Sequence, residues 1–203
     1  MNKSRLEAFS DGVFAIAVTL LVLDLHVPAR DVLRGSLAHA LATQWPAYAA
    51  YVTSFLIIGI IWINHHAVFR LVRTIDRPVL FVNLLLLMVV SAIPFPTSLF
   101  AEYLTAGRDA RTAAVIYSAV MLAMAVAFTG LYLLVTRPAA TLADDVDPAA
   151  VRAMRGRFGV GVIVYVFTVV VAFLNAPLCL ATHFVIAAYY AFEQAVPRRR
   201  GRS

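Results

Sequence analysis

Charged residues are scarce in this 203-residue chain: Asp, Glu, Lys and Arg together make up 14% of it. A water-exposed surface needs about a quarter of its residues charged. An ordinary soluble domain is therefore excluded, and a hydrophobic content of 62% points to an integral membrane protein. Cysteine is nearly absent. Cys179 alone excludes a disulfide framework within one chain and any thiolate metal cluster. No separable basic domain exists either. The net charge of +6 is spread over short loops and over Arg198, Arg199, Arg200 and Arg202 of the tail, so membrane topology accounts for it and nucleic acid does not. Lys3 and Arg5 before an apolar run is how a signal peptide begins. Here Asp11 interrupts that run and no small-x-small cleavage site follows, so the segment reads as a retained helix. No internal repeat is present.

What the chain has in abundance is long apolar runs. Crossing a hydrocarbon core takes about 20 mostly apolar residues. Six segments meet that length, at 8–27, 46–68, 78–101, 112–136, 157–175 and 177–194. These imply an all-α integral membrane protein of six helices forming one domain over 1–203. Between the last two stand only Asn175, Ala176 and Pro177, a tight-turn signature that makes the pair a helical hairpin. Of the 17 Lys and Arg, 13 lie at the N-terminus, in the second and fourth connections and in the tail. By the positive-inside rule both termini are then cytoplasmic. In the first connection, Val32, Leu33, Leu37 and Leu41 recur at helical spacing and suit a short helix. In the fourth, Asp147 can cap a short helix. The tail arginines suit anionic lipid beside the last span. Pro94 and Pro96 should kink the third segment near its outer end.

The first segment carries a carboxylate inside its own start. Burying an acid in a span costs about 2.5 to 3.5 kcal/mol at the centre and less near an end, so Asp11 demands an explanation. At about 100° per residue, Arg5, Phe9, Gly12, Ile16, Thr19, Leu20 and Leu23 fall on one stripe, while Asp11 points some 120° away and Ser10 to yet another side. With the termini inside, Trp62, Asn64, His65 and His66 of the second segment and Asn83 of the third reach the depth of Ser10 and Asp11. In lipid each of these polar groups needs a partner, and together they read as a hydrogen-bond network holding three helices. A proton relay through Asp11 and the histidines is the functional alternative. A metal site is disfavoured, because adjacent histidines project about 100° apart whereas two ligands on one helix usually stand at i and i+4. An apolar ladder such as Ile16, Leu20 and Leu23 can face lipid or core; its company of Gly12 and Thr19 also suits a hydrophobic constriction that gates by dewetting. Asp24 stands at the outer end of the same helix, where a carboxylate can gather cations or simply reach the interface.

The motif R-x-x-x-F-S-D-G at 5–12, followed by A-I-A-V-T-L-L-V-L, resembles the first helix of the prokaryotic branch of the transmembrane protein 175 family of endolysosomal potassium channels. W-I-N-H-H at 62–66 with Phe69 and Arg70, and N-L-L-L-L and S-A-I-P-F-P-T within 83–97, are similar to that family's second and third helices. Roughly the first half of the chain carries the likeness. The resemblance implies a potassium-permeable channel of the cell membrane, built as a homotetramer with the first helix of each copy lining a central pore. It implies no cofactor, and it implies the absence of a T-V-G-Y-G filter, a sequence this chain also lacks. Position by position, it makes Ile16, Leu20 and Leu23 the hydrophobic constriction and Thr19 the selectivity residue. It makes Arg5, Phe9, Ser10 and Asp11 the signature that packs the first helix against its neighbours. The competing reading is a proton-coupled secondary transporter using Asp11, His65 and His66. An enzyme is disfavoured, since His183 falls in the opposite half of the membrane from the other histidines and no nucleophile joins them.

Overall fold

The computed structural model describes residues 3–29, 36–137, 142 and 148–192. The described residues are helical almost throughout: α1 Lys3–Leu20, α2 Leu37–Thr43, α3 Trp45–Arg70, α4 Arg77–Ala92, α5 Pro94–Tyr103, α6 Arg108–Val135, α7 Pro148–Leu174 and α8 Ala176–Phe192. Among the described residues, four stretches are long and apolar enough to cross a membrane, namely Lys3–Asp24, Trp45–Arg70, Arg77–Tyr103 and Arg108–Val135. Gly159–Leu174 and Ala176–Phe192 are shorter apolar helices.

Local chemistry sets the boundaries. Asp76 caps α4 by accepting from the Val79 N–H at 3.0 Å, Ser36 caps α2 through the His39 N–H at 3.2 Å, and Asn175 accepts from the Leu178 N–H at 2.8 Å to start α8. Prolines, which need no N–H partner, stand in the first turns of α3, α4 and α5. Gly107, with φ of 61°, makes the left-handed turn into α6 that a side chain would strain.

Several expectations need correction. The first helix begins at Lys3 instead of 8, because Lys3 donates to the Val72 carbonyl at 2.8 Å and Leu6 is buried, so polar residues are held in helical form by tertiary contacts. Its α-helix stops at Leu20 and tightens into a 3-10 turn, Leu21–Asp24. The third segment breaks where the prolines are expected to kink it: it remains one apolar stretch, Arg77–Tyr103, but passes from α4 to α5 at Ile93, since Pro94 and Pro96 each lack the N–H that would continue the ladder. The helix of the first connection is Leu37–Thr43; Val32 and Leu33 lie outside the described residues. In place of a short capped helix in the fourth connection, α7 runs unbroken from Pro148. Asp147 and the tail arginines lie outside the described residues.

The core lies around α6, whose Tyr117, Met121, Met124, Leu131, Tyr132 and Val135 are fully buried against α3, α4, α5, α7 and α8. Tyr132 donates from its hydroxyl to the Val151 carbonyl at 2.9 Å, tying α6 to α7. α1 is less enclosed than α6: 28% of its apolar window is buried, against 50% for α6.

Candidate functional site

α1 is divided lengthwise. Leu6, Ser10, Phe14, Ala17 and Leu21, spaced four, four, three and four apart, are buried against α3 and α4. That is the 3.6-residue period of one helical face. Arg5, Phe9, Gly12, Ile16, Thr19, Leu20 and Leu23 are all exposed, with Ile16 at 60% and Leu23 at 68%. Nothing lies within 4 Å of where a Gly12 side chain would begin. From Gly12 to Leu23 the stripe is therefore largely uncovered by its own chain, while Arg5 and Phe9 border a groove shared with α4.

Two separate clasps pin the other side. In the first, the Ser10 hydroxyl donates to the Leu6 carbonyl at 2.9 Å, which uses its only proton. It must then accept from the Asn83 amide at 3.1 Å. Asn83 turns its carbonyl oxygen to His65 Nε2 at 2.7 Å, so that nitrogen carries the proton. The chain runs from His65 through Asn83 and Ser10 to the backbone of α1, and all three side chains are buried. Phe14 and Phe69 hold the imidazole between them at ring separations of 5.3 and 4.5 Å. In the second clasp, the Trp62 indole N–H donates to Asp11 Oδ1 at 2.8 Å. Asp11 is half-buried and Trp62 is 43% exposed, so this clasp lies toward the rim.

The residues of the expected polar shell thus divide. Asp11 is hydrogen-bonded by Trp62, and Ser10 is the residue that bonds Asn83 and, through it, connects to His65. Asn64 and His66 are half-buried and stand outside both clasps. Asp11 and the histidines form no hydrogen-bonded chain, which is what a relay among them would use. Arg5 is exposed and belongs to neither clasp. Among the described residues no three of His, Cys, Asp and Glu are grouped as metal ligands.

At the far end of α1, Ser98 of α5 donates to Asp24 Oδ1, while Asp24 Oδ2 is buried and has no partner among the described residues. His26 Nδ1 bonds the Asp24 carbonyl at 2.9 Å. Asp24 therefore ties the 3-10 turn to α5. Thr19 spends its hydroxyl proton on the Ile16 carbonyl at 2.9 Å, leaving the oxygen on the exposed stripe as an acceptor only.

Sequence reasoning missed a second buried polar chain. Thr97 donates to the Ile93 carbonyl at 2.8 Å, so it accepts from Ser54 at 2.8 Å, which in turn accepts from the Tyr117 hydroxyl at 2.9 Å. The polar interruptions in otherwise apolar runs were the signal. This chain holds the segment after the Ile93 break against α3 and α6. His183 packs edge-on against Tyr117 at 5.0 Å and has no contact with the His65 clasp.

A family model described as the endosomal/lysosomal potassium channel TMEM175 matches residues 5–94. The chain is 55% identical over 201 residues to a potassium channel of Streptomyces collinus, covering 98% of this chain and 97% of that one. The crystal structure of a lysosomal potassium-selective channel TMEM175 homolog from Chamaesiphon minutus superposes with a TM-score of 0.83 at 39% identity, over 93% of this chain and 96% of that one. An endosomal/lysosomal proton channel TMEM175 of Bos taurus is 31% identical over 215 residues, covering 97% of this chain but 42% of the longer relative.

Proposed function

The chain belongs to the TMEM175 family, whose members compared above are ion channels and not enzymes, and from that premise we propose that it is a potassium-permeable cation channel whose pore is lined by Ile16, Thr19, Leu20 and Leu23 of the exposed stripe of α1. The observation that carries this reading is the division of α1. One face is fixed by two polar clasps and a packed apolar seam, and the other, with a small residue, a hydroxyl and three large apolar side chains, is left largely uncovered by its own chain.

In this reading the single domain crosses the cell membrane six times with both termini cytoplasmic. α7 and α8 supply the last two spans and α4 with α5 the third. Four copies place their α1 helices around one axis. Ile16, Leu20 and Leu23 form apolar rings that exclude a hydrated ion until they move or dewetting is relieved. Thr19 turns hydroxyl oxygens toward the axis, where they replace part of the water shell of potassium. The tail arginines meet anionic headgroups. No cofactor takes part, and potassium is the permeant ion.

The test is ion flux in proteoliposomes. Ile16→Asn puts a polar amide in the constriction and is expected to raise potassium flux or to relax the preference for potassium over sodium. Unchanged flux and selectivity in a correctly assembled protein would refute the pore assignment.

A further inference from the structure

A groove of about 590 Å³ lies between the N-terminal ends of α1 and α4, walled by Arg5, Phe9, Arg77, Leu80, Phe81 and Leu84 among others. The two helices run in the same direction there, since Arg5 shares the groove with Arg77 and Ser10 bonds Asn83. The chemistry of the wall is therefore sorted along its length. Both guanidinium-bearing residues stand in the first turns, and Phe9, Leu80, Phe81 and Leu84 follow one and two turns on. From Arg77 to Leu84 the helix rises about 10 Å, at about 1.5 Å per residue.

The cationic end lacks its counter-charge. Among the described residues neither Arg5 nor Arg77 is engaged by an acceptor, whereas nearby Lys3 donates to the Val72 carbonyl. The one carboxylate beside Arg77, that of Asp76, is turned to the Val79 N–H. Neither helix has an acid in its first turn, and a helix start already carries partial positive charge. Two like charges at the mouth of an apolar groove, on two positive helix ends, call for an anion with hydrocarbon attached to it.

We infer that this groove binds an anionic phospholipid, its phosphate between Arg5 and Arg77 and an acyl chain along Phe9, Leu80, Phe81 and Leu84. The cytoplasmic leaflet as its source rests on the topology of the preceding section. Because Arg5 and Phe9 belong to α1 and precede Ile16, the bound lipid lies against the N-terminal end of the pore helix itself.

The test is native mass spectrometry of the full-length protein, extracted from membranes containing phosphatidylglycerol and phosphatidylethanolamine. Wild type is expected to retain phosphatidylglycerol preferentially. Arg77→Gln should lower that enrichment about fivefold, the worth of one arginine near an anionic surface. Leu84→Trp fills the wall without altering charge and should lower total bound lipid. Equal enrichment in wild type and both variants would overturn the proposal. So would unchanged lipid with a lost oligomer in Arg77→Gln, which would make the groove a contact between copies of the chain. Lipid retention is read without ion flux, so failure of the pore reading leaves this result standing. The leaflet is read separately with an impermeant thiol reagent on Arg77→Cys, the native Cys179 being buried. Labelling only from the outer side would overturn the leaflet assignment.

Discussion

The side-chain amide of Asn83 donates to the Ser10 hydroxyl at 3.1 Å, joining α4 to α1 between two residues 73 positions apart. With His65 donating to the other end of the same amide, one asparagine sets the depth and rotation of three helices. Ser10→Ala breaks one bond of the clasp and leaves the Asn83 N–H unpaired, whereas Asn83→Leu breaks two and leaves the His65 Nε2–H without its acceptor, Ser10 keeping its bond to the Leu6 carbonyl. An unsatisfied buried group costs about 1 to 3 kcal/mol, so Asn83→Leu is expected to be the more destabilising in detergent unfolding. The double variant should lose less than the sum, by about 0.6 kcal/mol, the average for such bonds in a membrane protein. Strict additivity would show that the bond contributes nothing.

Asp11→Asn keeps an acceptor oxygen for the Trp62 indole, whereas Asp11→Ala and Trp62→Phe remove one partner each. The expected order of thermal stability is wild type close to Asp11→Asn, with Asp11→Ala and Trp62→Phe lower by roughly 1 kcal/mol. An Asp11→Asn protein as weak as Asp11→Ala would mean that the charge, and not the hydrogen bond, holds this clasp.

Thr19 offers a hydroxyl to the stripe. Thr19→Ala should reduce the preference for potassium over sodium, and Thr19→Ser should retain most of it, because the oxygen persists. Reversal potentials under bi-ionic conditions report the ratio. Equal ratios in all three proteins would remove Thr19 from the proposed pore chemistry.

Ser98→Ala strips Asp24 of its side-chain donor, while its other carboxylate oxygen already has no partner among the described residues. The Leu21–Asp24 turn should then open more readily. Hydrogen exchange of the amides of Leu21, Val22, Leu23 and Asp24 is expected to rise in this variant, with the clasp around Ser10 unaffected. Unchanged protection would show that apolar packing alone holds the turn.

In the second polar chain the direction of donation separates two substitutions. Tyr117→Phe removes only a donor at the end of the chain, so its cost should fall near 0.5 to 1.5 kcal/mol. Thr97→Val leaves the Ser54 proton without an acceptor at full burial and should be the more destabilising of the two in the same unfolding assay.

Residues 5–23 show what was legible in advance. Placing the stripe needs only the rotation per residue of a helix, a local property, and the exposed face of α1 is the one that periodicity draws. The clasps were legible as a set of polar residues at one depth but not as pairs. Asp11 drew attention because an acid in lipid is costly, yet the hydroxyl of Ser10, which costs far less to bury, is the group that the core surrounds. Which of two adjacent residues turns inward depends on how α3 and α4 cross α1.

By itself the sequence determined that this chain is a membrane protein of apolar helices, which family it resembles, and which residues of the first helix share a face. Composition, periodicity and a set of short motifs are written along the chain and need no partner to be read. Only the tertiary structure decided that Asp11 meets Trp62 while Ser10 meets Asn83, that the first α-helix gives way to a 3-10 turn at Leu21, and that Arg5 faces a groove beside Arg77. Those outcomes depend on contacts between residues 51 to 74 positions apart, where packing geometry chooses among partners that local pattern leaves equivalent.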